Sequence, residues 1–259
     1  MPGVGLLRVM LQIANDWGSK VKLTVVLFLV VLLLLAAGKT SISQANNTAA
    51  ERLKQDLPVS PNAGRGRSLS KNRIVSLENP TIVIDVSKQL RGLGILNFPL
   101  KGVAQVERYV FAGTDESGRA RRLFIAQFES VLPGVKGGYS FPSTNPTRIG
   151  RHDYQTQVGF FNFAQAIAAN PGAEAEQTRA FLRRNGVRVD DDLLVARYAR
   201  VASEDRRHEL ILFYYESLRE LGLARADLEQ GGSRAPEAGK IFREFAARAR
   251  ESFGVVDGK

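Results

Sequence analysis

The chain has 259 residues, no cysteine and a formal net charge of +10, with 36 lysines and arginines against 26 aspartates and glutamates. Without cysteine there is no disulfide, no thiolate metal site, no cysteine nucleophile and no lipid-modified amino-terminal cysteine, so any folded part is held by its core alone. The arginines are mostly interspersed with acids, as on a solvated surface, and a partner drawn by their excess would be nucleic acid, anionic lipid or an acidic wall polymer.

Residues 23–38 are sixteen uncharged, mostly apolar residues, with Lys20 and Lys22 before them and Lys39 after. At about 1.5 Å per residue a helix of that length is roughly 24 Å long. That is short for a membrane span of about 20 residues, but snorkelling lysines and local thinning of the bilayer accommodate it. The run therefore serves as a single-pass transmembrane anchor or as the apolar centre of a signal peptide. Ser43 and Ala45 suit a cleavage site, although the leader would be long. Arg8, Lys20 and Lys22 keep residues 1–22 in the cytoplasm and send everything after the run outside. The expected location is the membrane, with the carboxyl-terminal domain exported, or a secreted or periplasmic form after cleavage near Ala45. Export makes nucleic acid the least suitable partner.

Residues 39–79 hold no aromatic residue and include Pro58, Pro61 and a run of Gly, Arg and Ser from 64 to 70. Such a stretch buries too little to offset its chain entropy, so it reads as a flexible linker. An α+β domain is expected over 80–259. Its first strand is 81–86, rich in β-branched residues. Residues 88–102, broken by Gly92, Gly94, Pro99 and Gly102, read mostly as turns. A hairpin follows, with strands 106–112 and 122–130 around the turn residues 115–118. Residues 133–150 form a long irregular loop. Residues 154–163 run as a strand into a helix at 163–169, stopped by Asn170-Pro171-Gly172, and a second helix covers 173–184 before Asn185-Gly186. Residues 193–201 and 209–217 form a second hairpin. Pro236 opens a carboxyl-terminal helix whose Ile241, Phe242, Phe245, Ala246, Ala249 and Phe253 make one apolar stripe. The expected architecture is an antiparallel sheet of two hairpins plus one extra strand, packed by this helix and the mid-chain helices.

The two hairpins resemble each other, Val106-Glu-Arg-Tyr109 matching Val195-Ala-Arg-Tyr198, and the stretch from Leu123 to Val131 matching that from Leu210 to Leu218. This suggests a shared register with Arg108 opposite Glu129 and Arg197 opposite Glu216. It also suggests that Arg119, Arg121 and Arg122 of one turn lie at the same edge as Arg206, Arg207 and His208 of the other, a candidate contact for an anionic ligand.

No catalytic constellation is apparent: there is no G-x-S-x-G and no H-E-x-x-H. His152, between Arg151 and Asp153, is the one candidate base. Asp190-Asp191-Asp192 reads as a polar turn, because consecutive side chains point apart and the spaced ligands of a calcium loop are missing. No cofactor or metal is expected. The reading is a membrane-anchored envelope protein with a non-catalytic binding or assembly role, bound to another envelope protein or an anionic polymer. The alternative is an exported hydrolase using the 133–154 loop and His152.

Overall fold

Alternation of Ile82, Ile84 and Val86 with Thr81, Val83 and Asp85 buries one face of a strand and leaves the other lighter, and that strand organises the first of two sheets. The computed structural model describes residues 66–141 and 146–258, all within the compact unit Ser60–Lys259. The apolar run 23–38 lies outside them; among the described residues no helix is long and apolar enough to cross a membrane.

In chain order the strands are β1 (Arg67–Ser70), β2 (Arg73–Leu77), β3 (Thr81–Val86), β4 (Arg91–Leu100), β5 (Ala104–Thr114), β6 (Ala120–Val131), β7 (Thr147–Ile149) and β8 (His152–Asn162). Helices α1 (Phe163–Ala169) and α2 (Glu174–Arg184) follow, then β9 (Asp192–Val201), β10 (His208–Ser217), α3 (Arg225–Leu228), α4 (Ala238–Glu251) and β11 (Phe253–Asp257). One sheet has four strands in the order β1-β2-β3-β11, the other seven in the order β4-β5-β6-β10-β9-β8-β7. All neighbouring strands are antiparallel. The protein is thus α+β, but with two sheets rather than one five-stranded sheet.

The large sheet is covered on both faces. On one, Tyr109, Phe124, Phe128, Tyr198 and Tyr214 pack against Ile74, Ile82 and Ile84 of the small sheet and Phe245 of α4. On the other, Val106, Val110, Leu123 and Ile125 pack against Phe163 of α1 and Phe181 and Leu182 of α2. Double coverage explains why β5, β6 and β10 are buried almost continuously instead of at alternate positions.

Both mid-chain helices form where the sequence places them. The Asn162 side chain accepts from the Gln165 backbone N–H to start α1, and Gly186 takes φ +73 just beyond α2. The amphipathic α4 and the hairpin β9–β10 also form, but the helix ends at Glu251, and Phe253, read as the last residue of its stripe, opens β11 instead. The irregular loop expected over 133–150, and extended to 154 in the hydrolase alternative, gives way at Thr147 to strand β7, which pairs with the start of β8. Three more expectations are corrected. The folded part does not begin near Pro80, because β1 and β2, assigned to the linker, build half of the small sheet. The stretch read as turns is strand β4. It runs along an edge of its sheet, where Pro99 leaves no central ladder bond unmade, and a bulge at Gly92/Gly94 absorbs a glycine at φ +124.

The third correction concerns register. Arg108 lies opposite Gln127, and Val106 opposite Glu129. Arg197 lies opposite Phe213, and Glu216 opposite Leu194. Side chains alternate along a strand, so Arg197 and Glu216 stand on opposite faces and do not pair. The resemblance between hairpins does not extend to packing either: of the matched pair Phe128 and Tyr215, the first enters the core between the sheets and the second the core under the helices.

Candidate functional site

Strand β6 lies beside β10 with Arg122 opposite Glu216 at one end and Ser130 opposite His208 at the other. The two basic turns therefore sit at opposite ends of the sheet, and the structure does not bring them together. Arg119 is paired with Asp190, Arg121 with Glu220 at 3.2 Å, and Arg122 with Glu216 at 3.6 Å. At the other end, Arg207 donates to the carbonyls of Val135 (3.0 Å) and Leu132 (2.7 Å). Its guanidinium serves the backbone of the following loop.

Arg206 and His208 take part in a different grouping. Together with Arg200, His152, Ser203, Glu204, Asp205 and residues 79–81 they line a cleft of about 940 Å³ where the ends of β8, β9 and β10 approach the start of β3. Arg200, the last inward-facing residue of its strand, places its guanidinium 5.8 Å from the centre of the Tyr154 ring. The Arg200 Nη1 and the Tyr154 hydroxyl are buried without a hydrogen-bond partner, as is Nη1 of Arg250 on α4. Among the described residues no carboxylate is ion-paired with Arg200 or Arg250. Arg200 is therefore a cleft-lining guanidinium that none of the described carboxylates pairs with, and an anion in the cleft would gain a charged interaction from it.

His152 stands between this cleft and a cavity of about 200 Å³ lined by Gly150, Arg151 and residues 255–257. Its Nε2 lies 2.6 Å from Asp257 Oδ1, and Arg151 donates to the other Asp257 oxygen. These two partners hold the Asp257 carboxyl below its ordinary range. Among the described residues no serine or threonine hydroxyl is hydrogen-bonded to His152; Ser130 lies 2.9 Å from the ring Nδ1 of the other histidine, His208. The geometry supplies an imidazole oriented by a carboxylate.

A second polar grouping lies on the helix-covered face of the large sheet. Glu129 and Glu209 are directly opposite each other on β6 and β10, and each is only 5% exposed. Gln127 donates to both Glu129 and, at 2.9 Å, Glu174 of α2. Arg108 donates to Gln127, to Thr178 and, at 2.6 Å, to Glu174. Tyr139, from the loop after β6, donates to Glu129 Oε2 at 3.2 Å. Burial first, and then the facing carboxyl, push Glu209 up to about 9; burial and nearby Glu174 likewise raise Glu129. The sequence reading missed this pair because it assigned Glu129 to Arg108. The available signal was an acid at an inward position in each of two aromatic strands.

Among the described residues no group of three or more His, Cys, Asp or Glu is arranged to hold a metal ion. Compared with known proteins, the chain matches no family model, no curated protein and no solved structure.

Proposed function

We propose that this is an exported protein, held at the outer face of a membrane by residues 23–38, whose folded domain binds an anionic group in the cleft between His152 and Arg206. The observation that carries the reading is Arg200: a guanidinium lining the cleft with no ion-paired carboxylate among the described residues, joined there by Arg206, His152 and His208. A phosphate or carboxylate of an envelope polymer, or an acidic side chain of a neighbouring protein, would pair with it. The role is read as binding or assembly, since among the described residues no serine or threonine hydroxyl is hydrogen-bonded to the His152 ring.

The test is titration of the full chain in detergent with polyphosphate and with polyglutamate. Binding that weakens about tenfold or more in Arg200→Gln supports the reading, since a charged hydrogen bond contributes roughly 1.5–3 kcal/mol. Equal binding by variant and wild type removes it. The anchor is tested separately, by the mature amino terminus and by protease access to the domain in intact cells.

The His152–Asp257 contact favours a second reading, a hydrolase in which the carboxylate orients the imidazole as a base. A His152→Asn variant with undiminished function in cells excludes it.

A further inference from the structure

The pair Glu129–Glu209 plays no part in the cleft, and it is unusual for two acids to face each other inside a sheet. Directly opposed cross-strand residues have Cβ atoms about 4.5–5.5 Å apart, and like charges at that spacing are destabilising. Two buried carboxyls at this distance do not both ionise; one keeps its proton and donates to the other.

The surroundings provide little other compensation. From β5, Arg108 is committed to Glu174, Gln127 and Thr178. From α2, Glu174 adds a further negative charge. From β9, Arg197 favours the ionised form of Glu209, but its guanidinium sits 5.5 Å from the Phe141 ring centre. From the loop, Tyr139 is half-buried, and burial together with the neighbouring carboxylates raises its hydroxyl, so it remains a donor.

Residues 132–141 reach this group through Tyr139 and are held by a small set of hydrogen bonds. Tyr139 N–H donates to the Arg206 carbonyl at 2.8 Å, and Arg206 Nε returns a bond to the Tyr139 carbonyl at 2.9 Å. Arg207 holds the Leu132 and Val135 carbonyls. Gly138 passes so near that an added Cβ would lie 2.5 Å from the Arg206 carbonyl oxygen. By contrast, β6 and β10 are zipped over nine residue pairs. If the acids repel each other, the strands are fixed and the loop is the part that yields.

We propose that Glu129 and Glu209 share one proton, and that this proton latches residues 132–141 over the helix-covered face. While the proton is bound, Glu129 accepts from Tyr139 and Gln127 and the cover is dry. When alkali removes it, two facing anions need water, and water enters by displacing Tyr139 and the loop that carries it. The latch is closed at neutral pH and opens as pH rises; it makes no use of the Arg200 cleft.

The test is amide hydrogen exchange of the full chain in detergent at about pH 6 and about pH 9.5, corrected for the intrinsic base-catalysed rate. Protection of the hydrogen-bonded Leu132, Val135 and Tyr139 amides is expected to fall about tenfold or more between the two, while β5 and β6 stay protected; in Glu209→Gln, which keeps a neutral donor opposite Glu129, it is expected to stay level. Equal protection of the wild-type loop at both pH values, or the same loss in the variant, overturns the proposal. Should Glu209→Gln not fold, the wild-type carbon-13 carboxyl titration decides. Loop protection must fall over the pH interval in which these glutamate signals move, and a fall elsewhere overturns the latch.

Discussion

Arg67 on β1 reaches across to the large sheet and pairs with Glu107 on β5, Nη1 to Oε2 3.0 Å, with side-chain exposures of 4% and 9%. Tyr109 donates to the other Glu107 oxygen at 2.6 Å, and the Arg67 guanidinium stacks 4.2 Å from the centre of the Phe128 ring. The first described strand is thus fastened to the middle of the fold by a buried charge pair. Removing one partner leaves the other uncompensated, which typically costs about 3–5 kcal/mol. Arg67→Ala should shift urea unfolding by that amount, and a chain shortened to begin at Pro80 should lose its cooperative transition.

Glu216 offers a comparison. It is equally buried, but it meets two arginines, Arg248 of α4 at 2.7 Å and Arg122 at 3.6 Å, and accepts from the Tyr214 hydroxyl at 2.7 Å. Arg248→Ala leaves Arg122 and Tyr214 in place, so the loss should be nearer 1–3 kcal/mol, about that of a charged hydrogen bond. Urea unfolding of Arg67→Ala and Arg248→Ala side by side should rank them in this order.

Gly150 joins β7 to β8 with φ +60, and a Cβ there would meet the Val255 carbonyl oxygen at 2.6 Å. Backbone cannot give way as a flexible side chain does. Gly150→Ala combines left-handed strain with a clash and should cost about 1–3 kcal/mol. The loss should appear first as faster hydrogen exchange in β11.

Protonation linkage makes a prediction of opposite sign from the usual carboxylate. Glu209 is raised above its unfolded value near 4.3, so the folded state binds the extra proton between the two values. Its contribution is complete below about pH 4 and fades as pH rises toward about 9, by at most about 1.4 kcal/mol per pH unit for one proton. Unfolding free energy measured from pH 5 to 9 should fall more steeply for wild type than for Glu209→Gln.

The sequence displayed most clearly what local pattern determines. The α4 stripe, the Asn185-Gly186 stop and the aromatic strands of both hairpins could be read because spacing and turn chemistry specify them. It concealed what depends on distant partners. Strands β1 and β2 are short and sit in a stretch rich in Gly, Ser and Arg, and Ile74 becomes core only when the large sheet's Phe124 and Tyr109 arrive from elsewhere. The register of β9 against β10 was legible as a hairpin but not to the residue, since several polar residues at 202–207 could form the turn. The acid pair escaped for the same reason: Glu129 and Glu209 lie on different hairpins, and the contact exists only because β6 and β10 adjoin. Likewise Asp257 lies far along the chain from His152, so no short motif announced their contact.

The small sheet is completed by β11, which joins β3 with Phe253 opposite Val86, although all seven strands of the large sheet lie between them in the chain. Its first three strands must wait, one edge bare, until the end of the polypeptide arrives. A polypeptide threaded across a membrane from its amino end would therefore emerge with Ile82 and Ile84 still lacking their last neighbour, and any helper that shields exposed strand borders would find its brief opportunity there.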